Sequence, residues 1–513
     1  MSGNIFLHGC TSVVIALAST TKSFEFLSKT MENSERSPLY NGNHFNPYMT
    51  LTKEASNSYY NGHDCVVETK SGREIEGAEV TTKTYFTRFW ILFIFSFLAW
   101  FQCAQWNTWG PISESVNVAF PGWGAETVAM MGNWGTIMFV VGIVPMCWLM
   151  EAKGLRAGVL ACAGLVAAGT VMRIIPFATS SDVFFTVMSH LCAICVGLAA
   201  TLVMAAPPTI AAVWFPPEER TTATAVSQVM NQLGNVGSYM EPLLVRAPRN
   251  GTTAEEIRSD IKLLLYIDAA IGVALLAAIL VYFPTKPPLP PSVTSSVKRY
   301  DFKTSLKEVF RNRDLLLVTI SFGITVGIPL TWLSVLNFSL LELGIDQDDA
   351  MWIGILAVVL SGASGLLAGR VTDVVYGYVK VSLILLMEAT LACFFWFFLL
   401  AWGAVEVTRW QVYFSVIGSL ALNFATAPLF MELAVEASYP CPEVVVGGML
   451  TGADNFVGLL FLLIFFIPNI GYAWVTYSLL ATGAFAIIPL LLVRENYARS
   501  NIDRADGHET STK

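Results

Sequence analysis

Twelve long, predominantly apolar stretches follow one another along this chain and restrict its fold more than any other feature. They run at roughly 87–112, 126–150, 156–177, 182–206, 219–245, 262–283, 314–341, 350–372, 380–402, 411–437, 443–467 and 470–493. A helix rises about 1.5 Å per residue, so about twenty apolar residues cross the ~30 Å of bilayer hydrocarbon. Inside that layer every backbone polar group must find its partner within the protein, which selects helices for runs of this length. The chain is therefore expected to be an all-α polytopic membrane protein. Its composition, 54% hydrophobic and only 13% charged, agrees.

The spans fall into two blocks. Residues 1–85 are polar, rich in Ser, Asn and Thr, and read as a disordered tail. No Lys or Arg precedes Lys22, so the apolar patch Val13–Ala18 lacks the basic flank of a signal peptide. A first six-helix block covers 86–283, a Pro-rich and basic linker 284–313, a second block 314–494 and a tail 495–513. With the N-terminus in the cytosol, the cytosolic loops hold Lys153, Arg156, Arg220, Arg370, Lys380 and the basic linker. The opposite loops hold only Arg246, Arg249, Arg258, Lys262 and Arg409. The excess of Lys and Arg thus places both termini in the cytosol. The sequon Asn250-Gly251-Thr252 then falls on the luminal side, where Asn250 is a candidate for glycosylation.

The two blocks carry an internal repeat. "FPPEE" (215–219) heads span five and "YPCPE" (439–443) heads span eleven, 224 positions later. At the same offset Glu219 maps to Glu443 and Asn231 to Asn455. Each block also has an acidic residue followed by a glycine in its second-to-third loop: Glu151 with Gly154, and Asp373 with Gly377. Paired six-helix halves with a site between them near mid-membrane are the plan of many transporters.

The remaining chemistry is sparse. Nine cysteines, an odd number, follow no disulfide or metal-ligand spacing, and Cys192-x-x-Cys195 reads as small residues packed at a helix interface. Nothing resembles a phosphate loop, a metal cluster or a nucleophile triad, so no enzyme activity, cofactor or nucleic-acid partner is expected.

What stands out is a set of amides in hydrocarbon. Gln102, Gln105, Trp106 and Trp109 occupy positions i, i+3, i+4 and i+7 of span one, one face of a helix. Span five repeats the stripe with Gln228, Asn231, Gln232 and Asn235. Span seven adds Trp332 and Asn337, and span eleven adds Asp454 and Asn455. Buried amides cost several kcal/mol unless hydrogen-bonded, so such stripes either face a wet solute pathway or glue helices together. Trp109 suits an interfacial belt as well as a pocket. The pathway reading makes Gln102, Gln105, Trp106, Asn231, Gln232, Trp332 and Asn455 the substrate contacts. Gly110-Pro111 is expected to end span one, since proline removes a donor. Ionisable residues inside spans are rarer still. Glu432 and Glu436 share a face of span ten, Asp268, Glu388 and Asp454 stand singly, and Glu241 lies near a luminal end. Glu432, Glu436 and Asp454 are candidate proton carriers. The alternative for the first two is a cytosolic-end pair bonded to loop arginines. His190 reads as packed or interfacial.

The two-half plan and the paired loop signatures resemble the major facilitator superfamily, although the first loop, "WLMEAKGLR" (148–156), has Glu151 where that superfamily's pattern has Asp. Within it, "WNTWGPI" (106–112), "WFPPEERTTATA" (214–225), "YFPTKPPLPPSV" (282–293) and "MELAVEASYPCPE" (431–443) resemble solute carrier family 49, and the resemblance covers about 85–495. That family includes the feline leukaemia virus subgroup C receptor-related transporters, linked to choline, ethanolamine and haem. It also includes a branch linked to proton-driven export of pyridoxine from lysosomes, which the four motifs resemble more. In the choline branch a span-one Trp and amides of spans five and eleven line the site, and the matching positions are Trp106, Gln232 and Asn455. A span-seven Tyr of that branch is Leu330 here, with Trp332 nearby, which argues against choline.

The resemblance implies a proton-coupled carrier of a small organic solute, pyridoxine first, moving it from lysosome to cytosol by alternating access. Choline, ethanolamine or haem is the alternative cargo, and a receptor or scaffold acting through its N-terminal tail is the alternative of another class. Glu151, Gly154, Arg156, Arg370 and Asp373 are the expected gating motif. The lysosomal membrane is the expected site, with the plasma membrane as alternative, and a monomer in contact with membrane lipids is expected. "ERSPLY" (35–40) departs from the dileucine sorting form, and "YMTL" (Tyr48–Leu51) has the Tyr-x-x-apolar form that sorting adaptors read.

Overall fold

Helix ends follow local chemistry. The first long helix, α1 (Thr87–Asn107), stops three residues short of Gly110, as the Gly-Pro pair demands. Helices α2 (Ala125–Lys153) and α3 (Leu155–Ile174) are parted by Gly154, whose φ of 87° suits glycine alone among common residues. Ser181 caps α4 (Asp182–Ala205) by accepting from the Phe184 N–H at 3.3 Å. Proline at 207 and 208 then starts a separate short helix, Pro207–Trp214, before α5 (Arg220–Ser238). A capping box between Thr253 and Glu256 opens α6 (Ala254–Val281). The second half comprises α7 (Arg313–Ser334), α8 (Gln347–Val374), α9 (Val379–Ala401), α10 (Arg409–Ser438), α11 (Glu443–Ile464) and α12 (Ala473–Leu492). The linker contains a ten-residue helix, Phe302–Arg311, that its composition did not announce; Asp301 caps it through the Thr304 N–H.

The computed structural model describes residues 81–503, except 179–180, 239, 249–251, 335, 342, 346, 376, 465–466 and 468–472, together with a strand pair in which Val67–Glu68 runs antiparallel to Glu74–Ile75. The segments "ERSPLY" and Tyr48–Leu51 and the sequon residue Asn250 lie outside the described residues.

Among the described residues, eleven helices are long and apolar enough to cross a membrane. The twelfth long helix, α5, falls short because its amide stripe replaces hydrocarbon. The outward faces are apolar in the manner of a lipid-facing surface: Val141, Leu367 and Trp410 are each at least 65% exposed.

Helix pairing repeats under a shift of six. The pairs α1·α5, α2·α4, α3·α4 and α3·α6 recur as α7·α11, α8·α10, α9·α10 and α9·α12. The halves meet through α5·α8 and α2·α11, which the same shift also exchanges. Side chains obey the repeat too. A Cβ added to Gly234 in α5 would lie 2.4 Å from the Trp100 carbonyl oxygen of α1, and one added to Gly458 in α11 would lie 2.4 Å from Thr331 Oγ1 of α7. These glycines are 224 positions apart, the offset of the sequence repeat.

The core is continuous at one end only. At the end bearing the linker, one apolar cluster runs across both halves, from Met150, Phe215 and Phe283 to Leu315, Val444 and Val493. At the far end the core splits into one cluster in the first half, around Trp109 and Phe185, and another in the second, around Trp332 and Phe397. The halves are thus sealed together at the linker end and separate at the far end.

Candidate functional site

A cavity lies where these arrangements meet, between the two halves. Gln228, Asn231 and Gln232 of α5 face it from the first half. Phe322 and Leu330 of α7, Ser361 of α8, Phe424 of α10 and Asp454 of α11 face it from the second. Its volume is about 60 Å³, room for a few waters at roughly 10–15 Å³ each. The polar groups sit on an otherwise apolar wall, the usual composition of a small-molecule site. Asp454 is the ionisable group of this lining. It is 3% exposed, and its Oδ1 accepts from the Asn455 backbone N–H at 2.7 Å and side-chain amide at 3.0 Å.

The amide stripes divide. Span five contributes Gln228, Asn231 and Gln232 to the cavity lining, although Asn231 also donates to the Ala99 carbonyl of α1 at 3.0 Å, and Gln232 accepts from Asn235 at 3.1 Å. The residues of span one are placed elsewhere. Gln102 donates to the Val196 carbonyl of α4 at 3.1 Å, and Gln105 accepts from Arg173 of α3. Trp106 donates to the Gly132 carbonyl of α2 at 3.0 Å, its indole resting where Gly135 has no side chain. Trp109 is buried in an aromatic cluster with Trp123 and Phe185. None of these four lines the cavity; in α1 the amides join helices within the half.

Trp332 is likewise buried in the second-half core, bonded to Ser339 and packed on Phe394 and Phe397, while Leu330, two residues earlier and on the other side of the helix, does face the cavity. Asn455 donates to the Thr451 carbonyl of its own helix at 2.9 Å as well as to Asp454, and so stands behind that carboxylate. His190 accepts from Trp134 Nε1 at 2.9 Å, a packing bond. Cys192, which lies against Gly169, and Cys195 are both free thiols.

Glu432 and Glu436 belong to the linker end. Glu436 accepts from the Arg499 and Ser500 backbone N–H groups at 3.2 and 3.4 Å and from the Ser500 hydroxyl. Glu432 lies 3.9 Å from Arg499, which is 1% exposed. Burial opposes the charge of Arg499, but the carboxyls of Glu432, Glu436, Glu443 and Asp503 around it outweigh that cost and hold its pKa above the ordinary value. The arginine comes from the C-terminal segment rather than from a loop.

The linker end is tied across the halves by the second loop signature. Asp373, at the end of α8, accepts from the Thr221 and Thr222 backbone N–H groups at 2.9 and 2.7 Å, capping α5. A carboxylate there also meets the positive end of the helix dipole. Arg370 donates to the Glu218 carbonyl at 3.4 Å. The first signature works differently: Gly154 makes the α2–α3 turn, Glu151 sits in the last turn of α2, and Arg156 donates to the Leu280 carbonyl within its own half. At the N-terminus of α11, by contrast, linker Arg299 pairs with the Glu443 side chain at 2.5 Å. Buried Arg220 pairs with Asp503 at 2.8 Å and also bonds Ser292 and Thr294 of the linker. Sequence reasoning missed this partnership, since the two charges stand 283 positions apart in segments of unrelated character.

Two six-helix halves, a cavity with a few polar groups between them and a latch at one end define a class, the two-half membrane transporters. Residues 89–447 match the Major Facilitator Superfamily. A solute carrier family 49 member 4 homolog of Xenopus laevis is 31% identical over 439 residues, which are 83% of this chain and 95% of that one. The choline/ethanolamine transporter flvcr2b of Danio rerio is 27% identical over 415 residues, 79% of this chain and 82% of that one. In fold, the crystal structure of the transporter FucP in its outward conformation aligns with a TM-score of 0.62 at 14% identity, covering 79% of this chain and 99% of that one. The chain belongs to the Major Facilitator Superfamily and, within it, to solute carrier family 49.

Proposed function

We propose that this transporter couples protons to the export of a small organic solute, pyridoxine first, from the lysosome to the cytosol. The observation that carries the reading is the cavity itself, in which Gln228, Asn231 and Gln232 face aromatic and aliphatic walls and one buried carboxyl. A flat, hydroxylated ring suits amides that orient it and a Phe that it stacks on. Asp454 is the proton carrier within the cavity; Glu432 and Glu436, engaged by the C-terminal segment, serve the latch. The linker end is the cytosolic side, on the Lys and Arg bias, so the sealed form receives solute from the lumen. Rocking of the halves about α5·α8 and α2·α11 exposes the cavity to each side in turn.

Asp454 also supports a second reading. A buried carboxylate beside an aromatic ring suits a small organic cation, and relatives of 27–29% identity are choline/ethanolamine transporters. Uptake of a solute panel into proteoliposomes, at acidic and neutral outer pH, separates the two. Acid-stimulated, saturable pyridoxine uptake supports the first reading; choline uptake indifferent to pH replaces it with the second.

A further inference from the structure

The first half holds a buried ionic cluster that the cavity does not use. Arg173, at the far end of α3, is 1% exposed; it bonds Gln105 of α1, pairs with Asp268 of α6 at 3.3 Å and lies over the Trp109 ring at 5.7 Å. Glu241, in the short turn after α5, is 6% exposed, within electrostatic reach of both Arg173 and Asp268, and its Oε2 has no hydrogen-bond partner. The charges do not balance: two buried carboxyls share one guanidinium. Thr108 and Trp109, just beyond the end of α1, carry no charge, Thr108 hydrogen-bonds the Glu241 side chain, and α4 offers the thiol of Cys192. An uncompensated carboxylate in such a place is unfavourable unless it takes a proton or a new partner.

We infer that Glu241, Arg173 and Asp268 form a second proton-binding site, outside the solute cavity, in which Glu241 carries the proton while Arg173 is held by Asp268. When Arg173 swings toward Glu241, Asp268 becomes the carboxyl without a partner, and the proton passes from Glu241 to Asp268 within the site. The site bears on transport through α5, whose amides line the cavity and whose end leads directly into Glu241. Burial, reinforced by the Asp268 carboxyl and opposed by Arg173, pushes the Glu241 carboxyl up to about 9. The role in transport rests on the proton-coupled reading above; the existence of the site does not.

The test measures melting of the full chain in detergent against pH, beside pyridoxine uptake. A carboxyl whose folded pKa is raised keeps its proton where the unfolded chain has lost its own. Its stabilisation is therefore full below the unfolded value of about 4.5 and is lost as pH rises toward about 9. Glu241→Gln is expected to flatten that decline and to abolish most of the acid stimulation of uptake. Gln232→Ala, a cavity variant, is expected to weaken uptake through a higher KM yet keep the wild-type melting profile, so a wrong solute and a wrong proton site give different results. If Glu241→Gln does not fold, Asp268→Asn frees Arg173 for Glu241 and moves the decline to lower pH. Parallel melting profiles for wild type and Glu241→Gln overturn the site. Acid stimulation unchanged in Glu241→Gln overturns its role in transport.

Discussion

Asp373 and Thr222 join the two halves: the carboxylate at the end of α8 accepts both the backbone N–H of Thr222, at 2.7 Å, and its hydroxyl, at 2.6 Å. Hydrogen bonds to a charged group contribute about 1.5–3 kcal/mol each. They form only while the linker end is sealed. Asp373→Ala is expected to shift the balance toward an opened linker end by roughly tenfold or more. Distances between spectroscopic probes placed on α5 and α8 read this directly. Unchanged distance distributions would show that the seal is held elsewhere.

Arg220 and Asp503 give a second test. Removing one partner of a buried ion pair leaves a charge without compensation and costs about 3–5 kcal/mol, whereas replacing both by apolar residues is often neutral. Asp503→Ala should therefore lower the melting temperature sharply, and Arg220→Met with Asp503→Leu should restore much of it. A double variant no better than the single one would mean that Ser292 and Thr294 already satisfy Arg220.

Gln232→Ala removes a cavity group and nothing from the core. One neutral hydrogen bond is worth about 0.5–1.5 kcal/mol, so KM should rise roughly 2- to 13-fold with melting unchanged. Trp106→Ala acts differently, because it empties the space above Gly135: the loss should appear in melting as well as in uptake. A Trp106→Ala protein of normal stability but without saturable uptake would return that indole to the solute pathway.

The repeat-related glycines should not tolerate alanine equally. Gly234→Ala drives a Cβ onto a backbone oxygen, which cannot turn aside, whereas Gly458→Ala meets a threonine hydroxyl that can change rotamer. Gly234→Ala is expected to be the more destabilising by about 1–3 kcal/mol. Thermal melting of the two variants decides, and equal losses would refute the asymmetry.

The fold was legible because period and length report directly on lipid, and the duplicated "FPPEE" and "YPCPE" headings marked the halves. Amides were less legible. Gln102 and Gln232 look alike in sequence, and only packing separates a side chain spent on the Val196 carbonyl from one left facing the cavity. Asp454 was visible as an intramembrane carboxyl, and the structure adds that it shares the cavity with the span-five amides. Asp268 and Glu241 appeared as isolated charges, because nothing in a linear chain announces that Asp268 shares one buried pocket with Arg173, 95 residues earlier.

The polar helix α5 has a consequence for how the molecule is made. Hydrocarbon alone gives this segment little reason to stay in the bilayer, so its residence there must come from protein neighbours, with α1, α8 and α10 replacing the lipid. Two of those three neighbours are synthesised after it. A nascent chain halted at the linker thus holds an axle without its bearing, and membrane retention of that helix ripens only as the later half arrives.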